Sequence, residues 1–210
     1  MRSRIFALVA IVAALALVGA GAVVFRRLAA PVSRLATVTV GADRLKLASD
    51  YLRPSGDGAA QLVAFFPDFT PAGGFADVAA ATDLDDRFAR LVFIGLKPAD
   101  PALDPAERTA RLYQRFLDEN SWSHPGGLVA RAFIDGSPFE GDELFYVAPE
   151  GRDFAARCRR PDPARKTPNT CIAVFRLGDL DVELRFAASL LSQWSALKEG
   201  ARGLIEAAKR

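Results

Sequence analysis

Residues 171–186 read CIAVFRLGDLDVELRF. Leu180, Val182, Leu184 and Phe186 fall at every second position, and Asp181, Glu183 and Arg185 fill the places between them. A repeat of two puts one set of side chains on a buried face and the other in water, which is the pattern of a strand. Gly178-Asp179 separates this strand from the apolar run CIAVFRL and forms the turn of a hairpin. The sheet this hairpin belongs to is therefore antiparallel.

The same reading extends toward the N-terminus. DFAARC, ending at Cys158, is a strand that would pair with CIAVFRL. LVARAFIDG (128–136) and ELFYVAPEG (143–151) form two more around the loop GSPFEGD. RFARLVFIGL, Arg87 to Leu96, is the most continuous apolar strand and the candidate for the sheet centre. QLVAFFPDF, Gln61 to Phe69, is an aromatic-rich strand that stops near Pro67. Its Phe65, Phe66 and Phe69 are assigned to the core rather than to a pocket. TVTVGADRLKL, Thr37 to Leu47, is a hairpin with Val38, Val40, Leu45 and Leu47 facing inward around Gly41-Ala42-Asp43. SDYLRPSGDG reads as a loop, and TPAGGFADVAAATDLDD as a long connection.

Two segments carry the period of a helix. Asp104-Pro105-Ala106-Glu107 supplies an N-cap aspartate, a first-turn proline and a capping-box glutamate. The helix is expected to run to Ser121, with Glu107, Arg111 and Arg115 wet and Leu112, Tyr113, Phe116 and Leu117 dry. Ser189 to Lys209 is amphipathic, with Leu190, Trp194, Leu197, Ala201, Leu204, Ile205 and Ala208 on one face.

The first 27 residues are different. Ile5 to Phe25 carries no charge over 21 residues, enough to span about 30 Å of hydrocarbon as a helix. Arg2 and Arg4 precede it, and Arg26 and Arg27 follow it. Ala20-Gly21-Ala22 has the form of a signal-peptide cleavage site, but the apolar run continues past it through Val23, Val24 and Phe25. An uncleaved single-span anchor is the expectation. The fold expected is α+β: an N-terminal transmembrane helix, then a mostly antiparallel sheet of seven or eight strands with about two covering helices. Residues 1–27 are the membrane anchor, 28–36 a juxtamembrane linker and 37–210 a soluble α+β domain.

Charge at the two ends of the anchor is nearly balanced, so orientation must come from elsewhere. Cys158 and Cys171 are the only cysteines. They stand at the ends of the two strands that would pair, within reach of a disulfide. Such a bond persists outside the cytoplasm. A zinc site is the competing use, but His124 is the only histidine and no CxxC or HExxH spacing occurs. The disulfide therefore directs the domain to the periplasmic side of an inner membrane.

No cofactor and no metal is expected: GxGxxG, GxxxxGK[ST] and GxSxG are missing. A Ser-His-Asp triad would have to use His124, which reads as a loop residue beside Trp122. Ser137 lies in a glycine-bounded loop without the nucleophile pattern. Asp83, Asp85 and Asp86 lack the glycine and distal glutamate of a calcium loop. A formal charge of +2 gives no bulk attraction for nucleic acid, and the basic stretch has no interleaved aromatics. No catalytic residue is assigned.

The unusual surface feature is that basic stretch. Arg157, Arg159, Arg160, Arg165 and Lys166 face only Asp162 within a loop stiffened by Pro161, Pro163 and Pro168. Anionic headgroups or an acidic protein are the partners it would suit. A solvated loop whose charges discourage edge pairing is the plainer alternative.

The N-terminal anchor, YLR (Tyr51 to Arg53), FFPDF (Phe65 to Phe69), the two spaced cysteines and the terminal RF…LL…W segment together resemble a group of single-pass membrane-anchored proteins of alphaproteobacteria. That resemblance implies a bacterial inner-membrane setting and carries no assigned activity. A periplasmic accessory or binding domain is the function expected, with an anchored hydrolase-like envelope enzyme as the alternative.

Overall fold

In the computed structural model, which describes residues 34–73, 84–161 and 169–209, every strand pair is antiparallel. Strands β1 (Leu35–Val40) and β2 (Asp43–Ala48) form a separate hairpin. The main sheet has ten strands. They are β3 (Leu52–Arg53), β4 (Ala60–Phe65), β5 (Thr70–Pro71), β6 (Leu91–Pro98), β7 (Trp122–His124), β8 (Leu128–Ala132), β9 (Asp142–Val147), β10 (Ala155–Arg159), β11 (Thr170–Leu177) and β12 (Leu180–Ala187). The order is β3-β4-β6-β12-β11-β10-β9-β8-β7, with β5 also paired to β4. From β7 to β12 the chain is a plain meander. β12 then returns beside β6, so the connection from β6 to β7 must cross the sheet to its far edge.

One face of the sheet carries the main core. Leu180, Val182, Leu184 and Phe186 are buried there with Val92, Ile94 and Leu96 of β6. The β1–β2 hairpin brings Val40, Leu45 and Leu47 to this core, and helix α2 (Trp194–Ala208) brings Leu197, Ala201, Ile205 and Ala208. The apolar spacing read from the sequence accounts for both covers. The ion pair Lys209 Nζ to Asp43 Oδ2, at 2.7 Å, ties the end of α2 to the hairpin turn.

The opposite face has two partial covers. At the β8–β9 end, Leu117, Phe133, Leu144 and Tyr146 form a second core under Tyr113, Phe116 and Phe139. At the β4–β6 end, Val63, Ala72 and Leu91 pack with Phe65, and helix α1 (Leu84–Ala89) lies nearby with Arg87 over the Phe65 ring at 5.1 Å.

Several sequence expectations change. The strand count rises because β3, β5 and β7 are only two or three residues long, too short to show alternation. The stretch Arg87–Ala89 belongs to α1 rather than to a strand. Arg90 turns the chain, donating from Nε to the Phe66 carbonyl at 2.8 Å, and the strand starts at Leu91. β6 is an interior strand, flanked by β4 and β12. β4 ends at Phe65, because Pro67 offers no N–H and Phe69 takes a left-handed φ of 50°.

The 104–121 segment is not one regular helix. It is a 3-10 turn at Pro105–Glu107, a π turn at Thr109–Tyr113 and a second 3-10 turn at Gln114–Phe116. Its start keeps the expected N-cap and i,i+4 pair but not the capping box: the Asp104 side chain accepts from the Ala106 N–H at 2.9 Å, and the Glu107 carboxylate pairs with Arg111 at 3.0 Å. It stops by Leu117, which bridges to Phe133, and Arg131 donates from Nε to the Asp118 carbonyl. Thus α2 is the single long helical cover among the described residues. None of their helices is long and apolar enough to cross a membrane. Ile5–Phe25 lies outside the described residues, as does 28–33 of the linker, and β1 already starts at Leu35.

Candidate functional site

Cys158 and Cys171 are direct register partners on β10 and β11. Their Cα atoms are 4.0 Å apart and they form a disulfide. Both side chains point into the main core, 3% and 0% exposed. A period of two then sends Arg157 and Arg159 to the opposite face.

There the arginines meet carboxylates. Asp142 on β9 is the register partner of Arg159 and is only 8% exposed. Arg157 Nε lies 3.2 Å from its Oδ2, and Arg159 Nε 3.1 Å from its Oδ1. Arg157 also stands over the Phe139 ring at 5.0 Å. Arg160 is 3.9 Å from Glu143 and donates to the Phe133 carbonyl at 3.2 Å. Three members of the basic cluster therefore brace the sheet. Their partners lie outside the loop itself, on the neighbouring strand, and the antiparallel register is the signal that finds them. Arg165 and Lys166 lie outside the described residues.

Asp142→Asn removes the charge that two guanidiniums share. It is expected to cost about 0.5–1 kcal/mol, at the upper end for a partly exposed ion pair, because Asp142 is buried while Arg159 is exposed. Urea unfolding of the variant measures it, and an unchanged midpoint would show that the pairing contributes nothing.

A second cross-strand pair sits at the other end of β11. Arg176 donates from Nε to Asp181 Oδ1 at 2.9 Å and from Nη2 to the Asp100 carbonyl at 2.7 Å. The hydrogen bond to Asp181 raises the Arg176 pKa, with burial opposing it. This pair anchors the start of the crossover.

Among the described residues, the second face stays open between the two covers. One register row runs Val63, Phe93, Arg185, Ile172, Arg157, Leu144 across β4, β6, β12, β11, β10 and β9. Its middle forms the floor of a groove. An apolar hollow of about 360 Å³ is lined by Phe88, Leu91, Phe93, Ile172 and Arg185, among others. A second hollow of about 190 Å³ is lined by Arg108, Tyr113, Arg157, Ile172, Glu183 and Arg185, among others. Ile172 and Arg185 line both, so the two hollows adjoin. Phe88 and Phe93 are 41% and 37% exposed, unusual for phenylalanine. The Nε of Arg108 is buried without a hydrogen-bond partner, while Arg185 Nε contacts Glu183 Oε1 at 2.8 Å.

The other candidate residues are dispersed. His124 Nδ1 lies 2.9 Å from the Pro125 carbonyl, and its ring meets Phe145 edge-on at 5.0 Å. Ser137 Oγ accepts from the Phe139 N–H within its own turn. Phe66 and Phe69 are buried in the main core, and Phe65 packs in the smaller one. Asp86 is exposed on α1, and the described residues hold no group of three or more possible metal ligands. Asp83 lies outside the described residues.

Fold and site together define a disulfide-linked, antiparallel-sheet domain with a groove across one face. No protein-family model matches the chain, and no curated protein matches it. Among solved structures, the chain is similar to Smlt3025, an immunity protein of the Stenotrophomonas maltophilia type IV secretion system. The TM-score is 0.61 and the identity 16%, over 85% of this chain and 94% of that one. It is more loosely similar to FrpD, an iron-regulated outer membrane lipoprotein of Neisseria meningitidis, with a TM-score of 0.49 and 11% identity over 84% and 92% of the two chains. At these identities the first likeness speaks for the fold.

Proposed function

We propose that this chain is a membrane-tethered binding domain of the bacterial cell envelope, held by Ile5–Phe25 with its sheet domain on the periplasmic side of the inner membrane. The observation that carries the binding role is the open groove. A sheet face that leaves Phe88 and Phe93 in solvent between two covers is a surface shaped for a partner. The disulfide supports the compartment, since a bond between structural cysteines persists in an oxidising environment. The use of this fold by an immunity protein is a precedent outside catalysis. Arg157, Arg159 and Arg160 are held against Asp142 and Glu143 on the neighbouring strand, so docking of the β10–β11 loop itself on anionic headgroups or an acidic protein falls to Arg165 and Lys166.

The test is topological. Alkaline phosphatase fused after Arg210 is expected to be active in cells, and the protein to stay in the membrane pellet through alkaline extraction. After thiol blocking, reductant should shift its band on a gel. Free thiols in freshly blocked cells, together with an inactive fusion, would put the domain in the cytoplasm and end this reading.

A further inference from the structure

We propose that the groove binds a single-chain anionic amphiphile, with its acyl chain over Phe93 and its anionic head beside Arg108 and Arg185. The proposal rests on the reading that the open face is the binding surface.

The lining divides by chemistry. Phe88, Leu91, Phe93 and Ile172 make one end apolar, and Arg108, Arg157 and Arg185 gather at the other. Counting Arg159, which shares Asp142 with Arg157, four guanidiniums stand against the two carboxylates Asp142 and Glu183. Four less two leaves two positive charges. Arg108 lines the hollow beside Arg157 and Arg185, and its guanidinium supplies charge that an anionic head would meet. A carboxylate or a phosphate fits equally.

The floor of the groove decides the class of ligand. β6, β12, β11 and β10 are each paired on both sides, so their backbone N–H and C=O groups are spent within the sheet. An extended peptide laid on that floor would bury its own backbone groups without partners. An acyl chain has none to satisfy. A hollow of about 360 Å³ is at the small end for small-molecule sites, which favours one chain over the two of a phospholipid.

The experiment uses the full chain in nanodiscs of zwitterionic lipid, with empty discs as the partition blank. The probe is a ten-carbon carboxylate bearing a diazirine, and mass spectrometry locates the crosslinks. Labelling is expected on the peptides that contain Phe88, Phe93 or Ile172. Unlabelled alkyl carboxylates should compete, gaining about fourfold per methylene in free concentration from hexanoate to decanoate. Decyl phosphate should compete as decanoate does, and decanol at least tenfold less well. Arg108→Gln with Arg185→Gln should weaken labelling about tenfold while leaving the melting temperature near the parent's. Phe93→Ser should flatten the chain-length series.

Labelling confined to the lipid-facing anchor overturns the proposal, as does equal competition by decanol. A concentration-dependent dimer that Phe93→Ser abolishes, without labelling of the groove, also overturns it. That result assigns the groove to a second copy and leaves the open face a binding surface. The topology test bears on the compartment alone, so the two readings fail separately.

Discussion

Replacing Gly200 by alanine is expected to destabilise the domain by about 2–3 kcal/mol, although alanine is the better helix former. Gly200 lies inside α2, where glycine costs about 1 kcal/mol relative to alanine. The Phe69 ring accounts for its presence. A Cβ on Gly200 would stand 2.1 Å from Phe69 Cε2 and 2.4 Å from Cδ2. The ring has nowhere to go: it is 6% exposed and meets Phe66 edge-on at 6.2 Å. Its backbone is held too, because the Tyr51 hydroxyl donates to the Phe69 carbonyl at 2.9 Å. At the size of this domain the melting temperature should fall by roughly 4–12 °C.

Gly203 is the internal control. It lies on the same helix with nothing within 4 Å of its added Cβ, so Gly203→Ala should stabilise by about 0.5–1 kcal/mol. Adding Phe69→Leu to Gly200→Ala should recover part of the loss, a coupling expected only of residues in contact. If Gly200→Ala melts at or above the parent temperature, the Phe69 ring does not sit on α2.

These contacts mark the boundary of what the sequence makes legible. The β11–β12 hairpin and the β1–β2 hairpin can be read from alternation because each has a long strand with one dry face. The dry face of α2 is legible for the same reason at a helical period. Nothing in the one-dimensional pattern announces that Phe69 leaves its strand to press on a glycine far along the chain. β3, β5 and β7 escape because their identity lies in their partners. The segment Arg87–Ala89 misleads because Phe88 and Ala89 extend the apolar run of β6 backward into a helix and a turn.

The candidate site divides in the same way. Cys158 and Cys171 can be paired from their places at facing strand ends. The counter-charges of Arg157 and Arg159 require the β9–β10 register, which hinges on the loop length between those strands. The groove requires more. Phe93, Arg185 and Ile172 come into one row only once β12 is known to lie between β6 and β11, and no local motif encodes that neighbour relation. A sheet assembled by a crossover hides its surface chemistry until the strand order is fixed.

Cys158→Ser and Cys171→Ser are each expected to destabilise the domain by about 3 kcal/mol, and the double variant by far less than the sum of the two. Thirteen positions separate the cysteines, and closing a loop of that size removes about this much from the unfolded chain's conformational freedom. The cost is not additive, because either change removes the whole cross-link. The fold itself should persist. Ala156↔Ala173 and Arg157↔Ile172 continue the β10–β11 register below the bond, and β11 is paired along its whole length with β12. Serine adds a second cost, since both positions are buried in the main core and a hydroxyl there lacks an assured partner. The Cys158→Ala, Cys171→Ala double variant should therefore be more stable than its serine counterpart, which separates the lost cross-link from the buried hydroxyls. Reductant supplies the independent measurement: it should lower the melting temperature of the parent toward that of the alanine pair and leave the alanine pair where it was. A parent indifferent to reductant, with thiols that alkylate freely in the native state, would mean that the bond is not formed. The placement of the domain in an oxidising compartment would then lose its physical basis.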